Sequence, residues 1–224
     1  ADSLYEADSI IRESERNAGS LFGGHTFYSA EGSSLCIRAM LYLAHQHARM
    51  LGKSPRILAG RNAHRSFLSA AVLLDLDVMW LKPADVNSYL SCAPTAEEIE
   101  AILSRPDAPT AVYLTSPDYL GNTADIERLS AVCHGFEVML VVDNAHGAYL
   151  HFLKPDGQML LKDVAHPLDQ GADLCCDSAH KTLPVLTGGA YLHTTAFLAY
   201  GARDALAIFG STSPSYLILQ SLDA

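Results

Sequence analysis

The chain has 224 residues, 49% of them hydrophobic and 18% charged, with a formal net charge of −10. That length buries a sizeable core in one or two domains, and the composition is that of a globular chain. The acidic balance argues against nucleic-acid binding, which needs a basic stripe, and no apolar run approaches the ~20 residues of a membrane span.

The opening Ala1–Glu6 is polar and acidic, unlike a leader, so the expected place is the cytoplasm. There is no initiator Met and the chain ends abruptly after Ser221-Leu222-Asp223-Ala224, so residues 1–224 read as a fragment of a longer protein. The five cysteines, Cys36, Cys92, Cys133, Cys175 and Cys176, form no Cys-x-x-Cys pair. This is a reduced, intracellular usage, with no metal centre expected. Adjacent Cys175 and Cys176 point to opposite faces if they share a strand.

In chain order, Ala7 to Ala18 reads as a polar amphipathic helix broken by Gly23-Gly24, and Thr26-Phe27-Tyr28 as a short strand. Leu35 to Leu51 has apolar residues at helical spacing. Gly32 permits the turn before it, and Ser33 or Ser34 caps it. Such a helix start, rich in hydroxyls and free N–H groups, suits an anion, although a plain cap explains the motif alone. Strand and helix then alternate: a strand at Arg56–Ala59, and a helix from Asn62, its expected cap, to Leu74. Another strand follows at Asp77–Leu81, then an irregular stretch from Lys82 to Ala93. Thr95 and Glu98 form a capping box. A strand at Thr110–Leu114 leads into Thr115-Ser116-Pro117, and a helix runs from Asp125 to His134. Val138–Val142 is wholly apolar, as a parallel strand buried on both faces should be. Lys154 to Pro167 reads as a surface excursion, Ala172–Asp177 as a strand, and Gly188–His193 as an antiparallel one. A helix from Thr195 to Ile208, a loop at Gly210–Pro214 and a helical tail complete the chain.

The alternation predicts an α/β fold, a mainly parallel sheet covered by helices on both sides. Ligands of such sheets bind beyond the carboxyl ends of the strands. The polar residues there are Asn62 and His64, Thr115 and Ser116, and Asp143 and His146. Asp177-Ser178-Ala179-His180-Lys181-Thr182 follows a further strand. A lysine that can lose its proton and a carboxylate at a buried strand end are two requirements of pyridoxal 5'-phosphate (PLP) chemistry. Lys181 would hold the cofactor as a Schiff base, and Asp143 would keep its pyridine nitrogen protonated. The Ser33-Ser34 turn suits the phosphate, and a histidine the ring face. Taken singly, each is equally a solvated lysine, a turn former or a polar loop residue.

Val142-Asp143-Asn144-Ala145-His146-Gly147-Ala148 and Ser178-Ala179-His180-Lys181-Thr182-Leu183-Pro184 resemble the two signature segments of the Orn/Lys/Arg decarboxylase major domain, a fold type I PLP family. Gly32-Ser33-Ser34, the Arg61–Ser66 segment, Thr115-Ser116-Pro117-x-Tyr119-x-Gly121 and Gly210–Tyr216 also match, in order and over nearly the whole chain. The resemblance implies a three-layer α/β/α, aspartate-aminotransferase-like large domain occupying residues 1–224, without the N-terminal segment and small C-terminal domain. It implies decarboxylation of lysine, arginine or ornithine. It places Lys181 on the cofactor, Asp143 at the pyridine nitrogen and His64 on the ring face. Ser33, Ser34, Ser178 and His180 would gather at the phosphate and His146 near the ring. Thr115, Ser116 and Tyr119 would line the mouth. Ser211 and Thr212 would reach into a neighbouring subunit's site, making the active unit at least a homodimer.

Two departures stand out: Asn144 where many members carry Glu, expected to point away from the ring with little effect, and Gly188-Gly189 in place of bulkier polar residues. Two alternatives stay open: an aminotransferase or other PLP lyase of the same fold, and a catalytically silent PLP-fold subunit. A Rossmann-like nucleotide domain is disfavoured, because no Gly-x-Gly-x-x-Gly follows the first strand.

Overall fold

Apolar five-residue runs punctuated by capped helices assemble into a single seven-stranded sheet of order β1-β7-β6-β5-β4-β2-β3. The structure is a computed structural model that describes residues 2–82, 90–153 and 165–224. The strands are β1 His25–Ser29, β2 Arg56–Gly60, β3 Asp77–Leu81, β4 Ala111–Thr115, β5 Met139–Asp143, β6 Leu174–Asp177 and β7 Ala190–Thr194. Pairings from β3 through β6 are parallel. The pairs β6–β7 and β7–β1 are antiparallel, as the short link before β7 requires.

Eight α-helices are described: α1 Ile10–Phe22, α2 Ser33–Met50, α3 Arg65–Leu73, α4 Ala96–Leu103, α5 Ile126–Gly135, α6 Ala179–Thr182, α7 Ala196–Phe209 and α8 Tyr216–Asp223. They form two layers because strand side chains alternate. Ile57, Tyr113, Val141 and Cys176 face α2, α3 and α7. Leu58, Val112, Leu140, Val142 and Cys175 face α4 and α5. The paired cysteines therefore divide between the faces, and all five are buried and free. Near the β1 edge, α1 and α8 enclose a third apolar cluster around Phe22, Tyr28 and Tyr191.

The caps explain where the boundaries differ from expectation. Helix α1 starts at Ile10 because the Asp2 carboxylate, nine residues upstream, accepts the Ile11 N–H at 2.7 Å. Gly23, at φ 77°, ends it. Neither Ser33 nor Ser34 caps α2. Gly32, at φ 73°, is the cap residue, and the serines occupy the first helical turn with their hydroxyls released. Asn62 is not the α3 cap either: His64 takes that place, its Nδ1 accepting the Ser66 N–H at 3.3 Å, and Asn62 is buried two residues earlier. The capping box at Thr95 and Glu98 forms in both directions. Residues 83–89 of the irregular stretch and 154–164 of the surface excursion lie outside the described residues.

In the parallel part, the order of strands along the chain reverses between β2 and β4. Such a reversal opens a crevice beyond the carboxyl ends of the strands. The segment after β2 carries His64, and β4 ends at Thr115.

Candidate active site

A cleft opens over that reversal. Ser33, His64, Thr115, Tyr119, Asp143, Ala145, His146 and Lys181 line it. Asp143 is the last residue of β5 and is 2% exposed. Its Oδ2 accepts the Tyr113 hydroxyl at 3.0 Å, and its Oδ1 accepts the Ala145 N–H at 3.2 Å and the Cys176 thiol at 3.8 Å. Burial pushes the Asp143 pKa up, and the Tyr113 and Ala145 donors, with the charges of His64 and Lys181, only partly offset it. The cleft floor is thus a dry carboxylate of high proton affinity.

Lys181 lies on the single-turn helix α6, and its Nζ donates to Nε2 of His146 at 3.2 Å. Burial, then the Lys181 charge, lower the His146 pKa. The imidazole is thus kept neutral and accepts a hydrogen bond from the amine. The Tyr119 ring meets His146 edge-on, with centroids 5.9 Å apart. On the far wall, the proton on His64 sits at Nε2, because Nδ1 accepts from the Ser66 backbone. The Ser66 hydroxyl also donates to Nδ1 at 2.9 Å and accepts from the Ser34 hydroxyl at 2.7 Å. At the start of α2, Ser178 donates to the Ser33 hydroxyl at 2.7 Å. Thr115 Oγ1 is buried with no hydrogen-bond partner among the described residues.

The two glycines of the departure stitch these parts together. The Gly188 carbonyl accepts the Gly32 N–H at 2.7 Å. The Gly189 carbonyl accepts both the backbone N–H and Nδ1–H of His180, at 3.2 and 3.0 Å. Gly188 sits at φ 102°, and a Cβ on Gly189 would lie 2.3 Å from a Val185 methyl. A Cβ on Gly188 would also crowd the Ala30 carbonyl, at 3.0 Å, in a backbone conformation that favours glycine.

The opposite face of the same strand ends carries a second network. Asn144 points away from the cleft and donates to Asp177 Oδ1 at 2.5 Å. His166 and His193 reach Asp177 Oδ2 at 3.0 and 3.1 Å. All four residues are fully buried. Two histidines and a carboxylate this close could hold a metal ion. The hydrogen bonds argue otherwise: His166 Nδ1 accepts the Leu168 N–H at 3.4 Å, so its proton is on Nε2, the atom a metal would need. The cluster is a buried anion held by three donors, tying the end of β5 to the strand that leads into Lys181.

A model of the Orn/Lys/Arg decarboxylase major domain matches residues 1–224. The chain belongs to the Orn/Lys/Arg decarboxylase family. It is 32% identical over 231 residues to an arginine decarboxylase of Halalkalibacterium halodurans, covering 100% of this chain and 44% of that one. It is 30% identical over 227 residues to an arginine decarboxylase of Bacillus subtilis, covering 99% of this chain and 44% of that one. The chain thus spans less than half the length of these family relatives. Among solved structures, lysine decarboxylase A from Pseudomonas aeruginosa superposes with a TM-score of 0.74 at 24% identity, over 99% of this chain and 31% of that one. The architecture is that of the fold type I large domain, as the alternation of strands and helices and the family signatures led us to expect.

Of the residues expected in a decarboxylase site of this family, Ser33, His64, Thr115, Tyr119, Asp143, His146 and Lys181 meet at one cleft. Ser34 and Ser178 bond to its rim residues, and His180 is turned to Gly189. Ser116 does not line the cleft: its hydroxyl accepts the Ala124 N–H at 3.0 Å and holds the loop after β4. Ser211 and Thr212 do not line it either. They lie on an exposed loop, where the Ser211 N–H bonds Glu31 beside the Gly32 turn. Sequence reasoning missed Tyr113, Ser66, His166 and His193. Tyr113 lies two residues before Thr115 on the same strand, so period-two alternation could have placed it on the Asp143 face. No local pattern joins His166, Asp177 and His193.

Proposed function

We propose that this chain is the cofactor-binding part of a PLP-dependent decarboxylase acting on a basic amino acid: arginine, lysine or ornithine. The observation that carries the reading is Lys181 and the buried Asp143 lining one cleft, beneath a helix start that offers hydroxyls. The residues fit the cofactor. Asp143 is a buried acceptor for a ring N–H, Thr115 Oγ1 is an orphaned polar atom at the cleft, and the α2 start suits a phosphate. When bound, PLP supplies the electron-withdrawing ring that takes up the electron pair left as the Cα–carboxylate bond breaks.

The chain's own groups do the rest. Lys181 would hold the cofactor through its amine. His146, accepting a hydrogen bond from Nζ, would orient the Lys181 amine. Asp143 would accept the ring N–H and favour its protonated form, and His64 would lie against the ring. Ser33, Ser34, Ser178 and His180 would hold the phosphate end. Ser211 and Thr212 complete the cleft of a second subunit, so the working unit is at least a homodimer. Arginine decarboxylases among the relatives support arginine as a substrate. The full-length protein, incubated with each of the three amino acids, should release CO2 and the corresponding amine from at least one. Recovery of a 2-oxo acid without CO2 points instead to an aminotransferase, and no turnover with bound PLP to a silent subunit.

Asp143→Asn separates function from stability. The raised Asp143 pKa means the folded cofactor-free protein binds this proton more tightly than the unfolded chain, so its stability is lost as pH rises through the folded pKa. A neutral amide removes that cost. The cofactor-free variant should gain about 1 kcal/mol at pH 7, a Tm rise of about 2–4 °C, while its loaded form loses turnover. A lower Tm in a thermal melt would count against a charged, strained Asp143.

A further inference from the structure

The Asp143 carboxylate has about four lone-pair positions, and their occupation is uneven. Oδ1 is filled by the Ala145 N–H and the Cys176 thiol. Among the described residues, Oδ2 accepts only the Tyr113 hydroxyl, at 3.0 Å. One position on Oδ2 remains for a donor from the cleft. Tyr113 is fully buried on β4, and its ring packs on Phe67 at a centroid distance of 4.5 Å. Phe67 in turn meets Trp80 at 5.7 Å, beneath the Arg61 guanidinium. The hydroxyl is therefore held by aromatic packing beneath the cleft, on the same face of β4 as Thr115, and bonded to Asp143 Oδ2.

We infer that Tyr113 is a positioning residue for the cofactor's ring nitrogen, keeping Asp143 an anion and leaving the ring–carboxylate proton on the nitrogen. The inference rests on the PLP reading above. Burial and the neighbouring Asp143 charge raise the Tyr113 pKa far above its usual value, so the phenol donates throughout the physiological range. Asp143 itself is buried, which favours its neutral form. The other titratable groups facing it, His64, Tyr119, His146 and Lys181, line the same cleft. Tyr113 is the side-chain oxygen donor that the reaction does not consume. Without it, Asp143 gains proton affinity and draws the shared proton off the nitrogen, and the ring withdraws fewer electrons.

The test uses the full-length protein loaded with PLP carrying 15N in the ring, compared as wild type, Tyr113→Phe and Phe67→Leu. Phe67→Leu disturbs the same packing but keeps the hydroxyl. At a fixed pH, the 15N shift of Tyr113→Phe should move from the wild-type, protonated value toward that of an unprotonated ring nitrogen. Its kcat should fall about ten- to a hundredfold with cofactor still bound, and Phe67→Leu should keep the wild-type nitrogen shift. An unchanged shift in Tyr113→Phe, or an equal displacement in Phe67→Leu, overturns the inference and leaves the PLP reading standing. Failure of the wild type to take up labelled PLP overturns both.

Discussion

On the proposed PLP reading, Lys181→Ala should abolish the visible Schiff-base absorbance of the full-length protein incubated with PLP, and its fixation by borohydride. Decarboxylation falls by about 10^4-fold or more, the scale seen when a covalent catalytic group is deleted. The residue's neighbourhood argues that the loss is chemical. Lys181 is exposed at the cleft, and its one side-chain hydrogen bond among those described goes to His146. It sits on a four-residue helix whose backbone is held from Ser178 and Ala179. Alanine there removes no core contact, so folding should be nearly unaffected. Spectra of the variant and wild type before and after borohydride decide the matter. A band that persists in the variant and is fixed to protein would assign the cofactor to another amine.

Asp177→Ala should destabilise the fold by about 3–5 kcal/mol, because it leaves His166, His193 and Asn144 buried with donors and no acceptor. For a chain of this size that is a Tm drop of about 10 °C. The wild type should also be acid-sensitive in two stages. Burial lowers the His193 pKa, outweighing the Asp177 contacts that favour its charged form. The contribution of its neutral form is fully present above about pH 6.5, the unfolded value, and is lost as pH falls from there through the lower folded pKa. For Asp177, burial alone would raise the pKa, but the contacts and hydrogen bonds of His166 and His193 outweigh it and hold it well below the usual range. That contribution is present above about pH 4 and declines as pH falls further. Denaturation midpoints at pH 7, 5 and 3.5 measure both stages. A variant with wild-type stability and an unchanged acid limb would show that the cluster is a passive filler. The consequence for the site is geometric. Asn144 adjoins Asp143, and Asp177 precedes Lys181 by four residues, so the Asn144–Asp177 bond helps to fix the spacing of the two groups the chemistry needs.

Much of this was legible in the chain alone, for local reasons. The wholly apolar β5 and the strand–helix alternation specify a parallel sheet buried on both faces, since side-chain period and capping chemistry act over a few residues. Asp143 and Lys181 could be placed at strand ends because each follows such a run. Asn144 could be turned from the cleft by alternation alone. Cap identity was less legible. Asp2 caps α1 from nine residues away, and Gly32 displaces Ser33 and Ser34 from the cap position through a positive φ. Only the tertiary structure decided the rest. Tyr113 meets Asp143 across 30 residues, Ser33 meets Ser178 across 145, and His166 and His193 close on Asp177 from two separate elements. Such contacts depend on strand order and register. A parallel sheet sets these by packing between segments far apart in sequence, so no local pattern records them.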